Sequence, residues 1–355
     1  MPTPFRPLCL ASLVLAGPLL ADSPLRFTKV VLNDQYLADG IGAGDLNRDG
    51  LVDIVCGPYW YEGPGFVKRH EFYPMQPQEL EKHPTDSLFS FVHDFNADGW
   101  PDILVLGRVK HHEAFWYENP RGQPGLWKKH FVTHRVYGES PELVDPYGDG
   151  KVGILSHWEG RWGWWHPDPA DPTKPWLFHG ITEVEKWAEY YHGSGLGDVN
   201  GDGRLDLVLN DGWWEQPAGR GQPWTAHRFR FGPRGGAHIL VYDVDGDGRN
   251  DIITALDAHR WGLSWFRNVP DQNGGITFRE QRIMGDRSEE KTFGVAFSQP
   301  HALALADLDG DGLMDIVTGK RRWAHGPTGD VEPMAAPVNY WFRLQRDPVQ
   351  GARYT

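Results

Sequence analysis

Cysteine is almost absent from this chain: Cys9 and Cys56 are the two in 355 residues. Cys9 falls in an N-terminal segment that reads as removable, so the folded part has no disulfide to staple its loops. Cys56, on the apolar run Ile54-Val55-Cys56-Gly57, reads as a small buried hydrophobe. Long apolar runs are scarce too. After Leu20 no stretch is apolar enough to cross a bilayer as a helix. Positive charge is short: 35 Lys and Arg against 48 Asp and Glu leave a formal charge of −13, which argues against nucleic acid as a partner. No Gly-x-Ser-x-Gly elbow occurs, and with Cys56 buried nothing points to serine or cysteine nucleophiles.

The first 21 residues carry Arg6, the apolar segment Leu8 to Leu20 and small residues around Ala21. That is the layout of a secretory signal, and the apolar part is too short for a transmembrane helix. Cys9 stands at the start of the apolar segment, where no lipoprotein cleavage box would place it. The expectation is an exported soluble protein, periplasmic or secreted, with residues 22–355 forming one domain.

Aspartate and glycine are plentiful, and they are ordered. Six nonapeptides begin at Asp45, Asp94, Asp145, Asp198, Asp243 and Asp307, between 45 and 64 residues apart. A period near fifty residues signals an array of equivalent supersecondary units. In the fourth copy the short strand Gly193–Gly197 precedes the loop and Leu207–Leu209 follows it. The aromatic pair Trp213-Trp214 marks a third strand, and Trp224–Phe229 closes the unit. The pair recurs as Trp60-Tyr61, Trp116-Tyr117, Trp164-Trp165, Trp265-Phe266 and Trp341-Phe342. Four short strands per unit are the pattern of a propeller blade. The fold class expected is all-β, a six-bladed β-propeller, with seven blades as the alternative. Phe27–Leu32 resembles the other fourth strands. It is expected to pair into the last blade and remove two open edges.

Within the loops, oxygen side chains at positions 1, 3, 5 and 9 with glycine at 6 describe a calcium loop. Five copies keep all four: Asp45, Asn47, Asp49 and Asp53; Asp94, Asn96, Asp98 and Asp102; Asp198, Asn200, Asp202 and Asp206; Asp243, Asp245, Asp247 and Asp251; Asp307, Asp309, Asp311 and Asp315. The third has Tyr147 and Gly153 instead and is read as metal-free. Several structural calcium ions are expected, tying first strand to second.

Residues such as Gly197-Asp-Val-Asn-Gly-Asp-Gly-Arg-Leu-Asp-Leu-Val208 resemble the FG-GAP/VCBS repeats of integrin-type propellers and many exported bacterial proteins. Together with the Trp-aromatic third strands, the chain is similar to the propeller domain of aldos-2-ulose dehydratases and related carbohydrate-active propellers. That resemblance implies elimination chemistry on keto sugars. The known enzymes also carry cupin domains, which have no counterpart in these 355 residues.

If the aspartate loops mark one face, the residues just before each first strand ring the other: Asp39, Leu88, Glu139, His192, His238 and His301. Three imidazoles from consecutive blades suit a transition metal, with zinc, manganese and nickel all compatible. His192, His238 and His301 are the expected ligands, and His157, His259, His112 or Glu139 the expected acid–base groups. Lys110, Arg161, Asp211, Arg260, Lys320, Arg321, Trp158 and Trp261 are candidates for holding a hydroxyl-rich, anionic substrate. The reading is an exported carbohydrate-active lyase or dehydratase performing metal-assisted β-elimination on a keto sugar or uronate-containing saccharide. The alternative is a non-catalytic, calcium-stabilised propeller that binds a sugar or a protein.

Overall fold

The apolar stretches on either side of each aspartate-rich loop pair with one another as antiparallel strands. The computed structural model describes residues 25–76, 85–107, 113–322 and 325–355. Met1–Ala21, Lys110 and His112 therefore lie outside the described residues.

Blade one runs β1 (Ile41–Gly44), β2 (Asp53–Cys56), β3 (Tyr59–Tyr61) and β4 (Arg69–Glu71); blade two runs β5 (Phe89–His93), β6 (Asp102–Leu106), β7 (Ala114–Glu118) and β8 (Lys128–Thr133). Blade three is β9 (Leu143–Val144), β10 (Gly153–Trp158), β11 (Arg161–His166) and β12 (Leu177–Gly180), and blade four β13 (Ser194–Gly197), β14 (Asp206–Leu209), β15 (Gly212–Glu215) and β16 (Thr225–Arg228). Blade five is β17 (Leu240–Tyr242), β18 (Asp251–Ala255), β19 (Leu263–Pro270) and β20 (Ile276–Met284). Each is a meander in sequence order, and the whole is a six-bladed β-propeller.

The sixth blade departs from expectation. It has three strands, β21 (Pro300–Ala306), β22 (Asp315–Lys320) and β23 (Val338–Phe342), and a separate hairpin follows, β24 (Leu344–Asp347) with β25 (Gly351–Tyr354). Leu25–Leu32 form no strand, so the expected N-terminal clasp is corrected. Instead Leu344, Ala352 and Tyr354 of the hairpin pack on the core shared by blades five and six.

Apolar residues of adjacent blades meet at the seams. Trp60 and Phe72 of blade one join Ile103, Tyr117 and Trp127; Leu104 and Trp116 of blade two join Ile154, Trp165 and Trp176. Equivalent clusters fill the next three seams. Burying a large apolar side chain is worth about 1.5–3 kcal/mol, so these seams supply the cohesion that disulfides do not. Five clusters serve five seams, and among the described residues none spans blades six and one.

Glycine lets the inner strands approach. A Cβ on Gly42 of β1 would lie 2.9 Å from the Ser90 carbonyl oxygen of β5, and one on Gly195 of β13 would collide with the Ile239 carbonyl. On the outer strands, imidazoles stack on the first residue of the aromatic pair. His70 lies on Trp60, His130 on Trp116 and His227 on Trp213, with centroids 4.1, 4.3 and 4.0 Å apart. Each ring also meets a glutamate, Glu62, Glu118 or Glu215, at 2.7, 2.8 and 3.0 Å. In blade three His166 replaces the glutamate and stacks on His179. Many of the sixteen histidines are thereby accounted for as packing.

Candidate functional site

The residues at or just before the starts of the six inner strands converge. Asp39, Leu88, Glu139, His192, His238 and His301 all line one axial cavity of about 1220 Å³, joined by Phe89, Phe91, Tyr190, His259, Arg321 and His325. The volume is ample for a small-molecule site.

One wall gathers metal-binding groups. Glu139, His192, His259 and His301 each offer a ligand atom within 4.8 Å of the others. Ring centroids of His259 lie 4.9 Å from His192 and 4.6 Å from His301. The supporting backbone is fixed between blades. Glu139 N–H donates to the Tyr191 carbonyl at 2.8 Å, and Gln299 N–H donates to the Arg260 carbonyl at 2.8 Å. The first bond ties the Glu139 segment to the one carrying His192; the second ties the start of β21 to the loop carrying His259.

The electrostatics suit a cation. Burial pushes the His301 imidazole down to about 3 and lowers His259, with neighbouring imidazoles adding to both. Neutral imidazoles offer the lone pairs that a metal requires. His192 Nε2 stands 2.8 Å from Glu139 Oε2 without making a hydrogen bond, and His301 Nδ1 is buried without a hydrogen-bond partner. Buried polar atoms left this way are costly, and a cation between them would satisfy both. Beside this group, Asp330 meets both His259 and His325. Burial works against ionisation of Asp330, but its contacts with His325 outweigh it and hold the carboxyl below its ordinary range.

The expected trio is redrawn accordingly. His238 lines the cavity but stays outside the group. Burial lowers its imidazole, partly offset by a bond to the Pro141 carbonyl, and its Nδ1 has no hydrogen-bond partner. His259 takes the fourth place because the loop after β18 folds inward, where Ala258 N–H donates to the Gly235 carbonyl at 3.0 Å. Strand equivalence could not reveal a candidate from a different loop.

On the opposite face the aspartate loops are built alike. In the fourth, Asp198 accepts the amides of Asp202 and Gly203 at 3.1 and 2.9 Å. The ninth residue has a second task. Asp206, fully buried, accepts Val199 N–H at 2.9 Å and Gln216 N–H at 2.9 Å, so it joins the loop to the end of the third strand. Asp53, Asp102, Asp251 and Asp315 repeat both bonds. Ligand oxygens of Asp243, Asp245 and Asp251, and of Asp307, Asp309 and Asp311, lie within 4.8 Å of one another. In the third loop Arg220 and Lys151 pair with Asp149 at 2.6 and 3.2 Å and, Arg220 foremost, hold its carboxyl down to about 2.

The sequence profile of the FG-GAP-like repeat family matches residues 198–254 and 243–318. Residues 198–318 carry FG-GAP-like repeats. No curated protein matches it in sequence. Among solved structures it is similar to an Agrocybe aegerita lectin studied for its specific recognition of non-reducing terminal N-acetylglucosamine, at 16% identity over 84% of each chain with a TM-score of 0.51. It also matches the rhamnogalacturonan lyase YesW, at 11% identity over 79% of this chain and 55% of that one, with a TM-score of 0.41. The V. cholerae biofilm matrix protein Bap1 matches at 16% identity over 68% and 36%, with a TM-score of 0.35. The lectin likeness shows a shared fold.

Most other candidates make structural contacts. His157 is buried, stacks on Tyr137 and meets the Ala188 carbonyl at 3.0 Å. Arg161 donates to the Thr182 carbonyl at 2.7 Å, and buried Lys320 donates to the carbonyls of Arg321 and Arg322 at 2.8 Å each. Asp211 accepts the Tyr191 hydroxyl at 2.6 Å and pairs with Arg230 in a neighbouring pocket. Arg260 is exposed beside a turn, Trp158 packs on Trp165, and Trp261 lies under Arg287. Cys56 is half-buried rather than buried. Of the candidate cations among the described residues, Arg321 alone reaches the axial cavity, paired with Asp39 at 2.6 Å.

Proposed function

We propose that this chain is an exported carbohydrate-active protein whose axial cavity binds a sugar-derived ligand beside a divalent transition metal. The observation that carries this reading is the group Glu139, His192, His259 and His301, with buried imidazole nitrogens that lack partners. Three imidazoles and one carboxylate are a donor set for zinc, manganese or nickel. Calcium in the five complete loops and export through Met1–Ala21 belong to the same proposal.

The reaction proposed is β-elimination on a keto sugar or uronate. A divalent ion here supplies Lewis acidity toward a carbonyl or carboxylate oxygen. The remaining work falls to the chain. With its ring proton given to the Pro141 carbonyl, His238 keeps a lone pair on Nδ1 and is the base that takes the α-proton. The C–H electrons form the new double bond as the β-C–O bond breaks, and the leaving oxygen takes up the proton that His238 has collected. Tyr190, Phe89 and Phe91 give the ligand apolar faces, and Arg321, held by Asp39, offers its guanidinium to a carboxylate.

The alternative is a propeller that binds without chemistry. The aromatic wall favours it, because such faces serve recognition equally well. Elemental analysis of purified protein, followed by incubation with keto sugars and uronate-containing oligosaccharides, separates the two. Metal together with the ultraviolet absorbance of an enone or unsaturated uronate supports the lyase. Sugar binding without that signal leaves the binding propeller.

A further inference from the structure

We propose that Asp330 is a positioning residue that fixes the ring of His259 for metal binding, a role that rests on the metal reading above. Asp330 belongs to the loop between β22 and β23, remote in sequence from every inner strand. Its side chain is 5% exposed, and its Oδ1 lies 3.3 Å from His259 Nδ1. The angle falls short of a hydrogen bond, yet no other acceptor is given to that nitrogen among the described residues. An imidazole can bind a metal through one nitrogen only if its single proton sits on the other. A carboxylate beside Nδ1 keeps the proton there and leaves the Nε2 lone pair for the ion.

Asp330 is itself held from several directions. The His325 amide donates to its Oδ2 at 3.0 Å, and His325 Nδ1 lies 3.1 Å from both oxygens. The next two residues are anchored as well. The Val331 carbonyl accepts from Ser298 Oγ at 2.9 Å and Gln299 Nε2 at 2.8 Å, and Glu332 takes Arg287 in a two-pronged pair at 3.2 and 2.7 Å. Ser298 and Gln299 lead directly into His301. One network therefore sets the position of the carboxylate, of the strand bearing one imidazole and of the loop bearing another. A surface loop needs no such anchoring for stability alone. A ligand sphere does, because outer contacts decide ring orientation.

The experiment compares the native chain with Asp330→Ala and the near-isosteric Asp330→Asn. Zinc affinity is measured by chelator competition, and the cobalt(II)-loaded forms are compared by visible absorption. Expected is a loss of affinity of about 10- to 100-fold for Asp330→Ala, with altered cobalt bands. Asp330→Asn, which keeps an acceptor oxygen, should recover part of that loss. It also answers the question if the alanine variant does not fold. Unchanged affinity and an unchanged cobalt spectrum in both variants would overturn the proposal while leaving the metal reading intact. Two ions in the native chain, with one lost on replacement, would make Asp330 a ligand and overturn its positioning role. A native chain that takes up neither zinc nor cobalt would overturn both readings together.

Discussion

Glu139 and His192, from blades three and four, bring a carboxylate oxygen and an imidazole nitrogen to 2.8 Å without the geometry of a hydrogen bond. A cation between two groups this close would relieve the unpartnered imidazole nitrogen. His259 and His301 complete the set, and its four residues come from blades three to six.

Replacing His192, His259 or His301 singly by alanine should remove tightly bound transition metal while leaving the fold intact. The loss should exceed the roughly 10- to 100-fold typical of outer-sphere residues. His238→Ala should keep the metal and lose turnover. Metal content by mass spectrometry, read beside activity, checks both. A His238 variant that loses metal as fully as the others would restore the trio expected from strand equivalence.

Chelation should lower the melting temperature, and calcium rather than magnesium should restore it, since these loops suit the longer calcium bonds. Ligand at one hundred times its dissociation constant stabilises by about 2.7 kcal/mol per site, so several sites make a large shift. Asp202→Ala or Asp247→Ala should cost more of it than Asp149→Ala, because the loop of Asp149 has Tyr147 and Gly153 in place of two ligands. Calorimetry with and without EDTA decides, and a melting temperature indifferent to EDTA would remove calcium from the account.

Asp206→Ala should destabilise the chain even in EDTA. Its carboxylate serves two buried amides, Val199 and Gln216, and each orphaned amide costs about 1–3 kcal/mol. A pure calcium ligand would show no penalty once calcium is gone. Denaturant unfolding in EDTA distinguishes the two roles.

The pH dependence should change sign with calcium. Burial, only partly offset by backbone amides, raises Asp102 to about 8, Asp251 to about 7 and Asp206 to about 6, against about 3.9 in an unfolded chain. The calcium-free fold thus holds protons that the unfolded chain has released. That stabilisation is fully present below about pH 4 and is lost as pH rises through 6 to 8. Calcium displaces the same protons and binds better as pH rises. The melting-temperature gap between calcium and EDTA should therefore be wider at pH 8 than at pH 5.5. An equal gap at both would count against these carboxylates as ligands.

The blades were readable because each repeats a local code: glycine where neighbouring inner strands touch, aspartates in the loop, an aromatic pair at the seam. The six rim residues followed from that period. His259 and Asp330 did not, because they arrive on loops whose lengths differ from blade to blade and whose inward fold depends on partners far along the chain. The Trp–His–Glu stacks had a signal that went unused. Trp60, Trp116 and Trp213 are each followed two residues later by glutamate and ten to fourteen later by histidine. The clasp is expected because Phe27–Leu32 has the composition of a fourth strand; the structure instead pairs Leu344–Asp347 with Gly351–Tyr354 as a hairpin.

The seam between blades six and one has no apolar cluster and no shared strand among the described residues; it has Arg321 against Asp39, with Tyr36 donating to the same carboxylate at 2.7 Å. A ring is as strong in tension as its weakest joint. Pulled apart, this one should part where the Arg321–Asp39 pair joins the two blades rather than where indoles interlock. That pair lines the axial cavity, so a ligand bridging Arg321 and the far wall would act as a rivet across the seam that lacks an apolar cluster among the described residues, and its binding would register as mechanical stiffening of the whole ring.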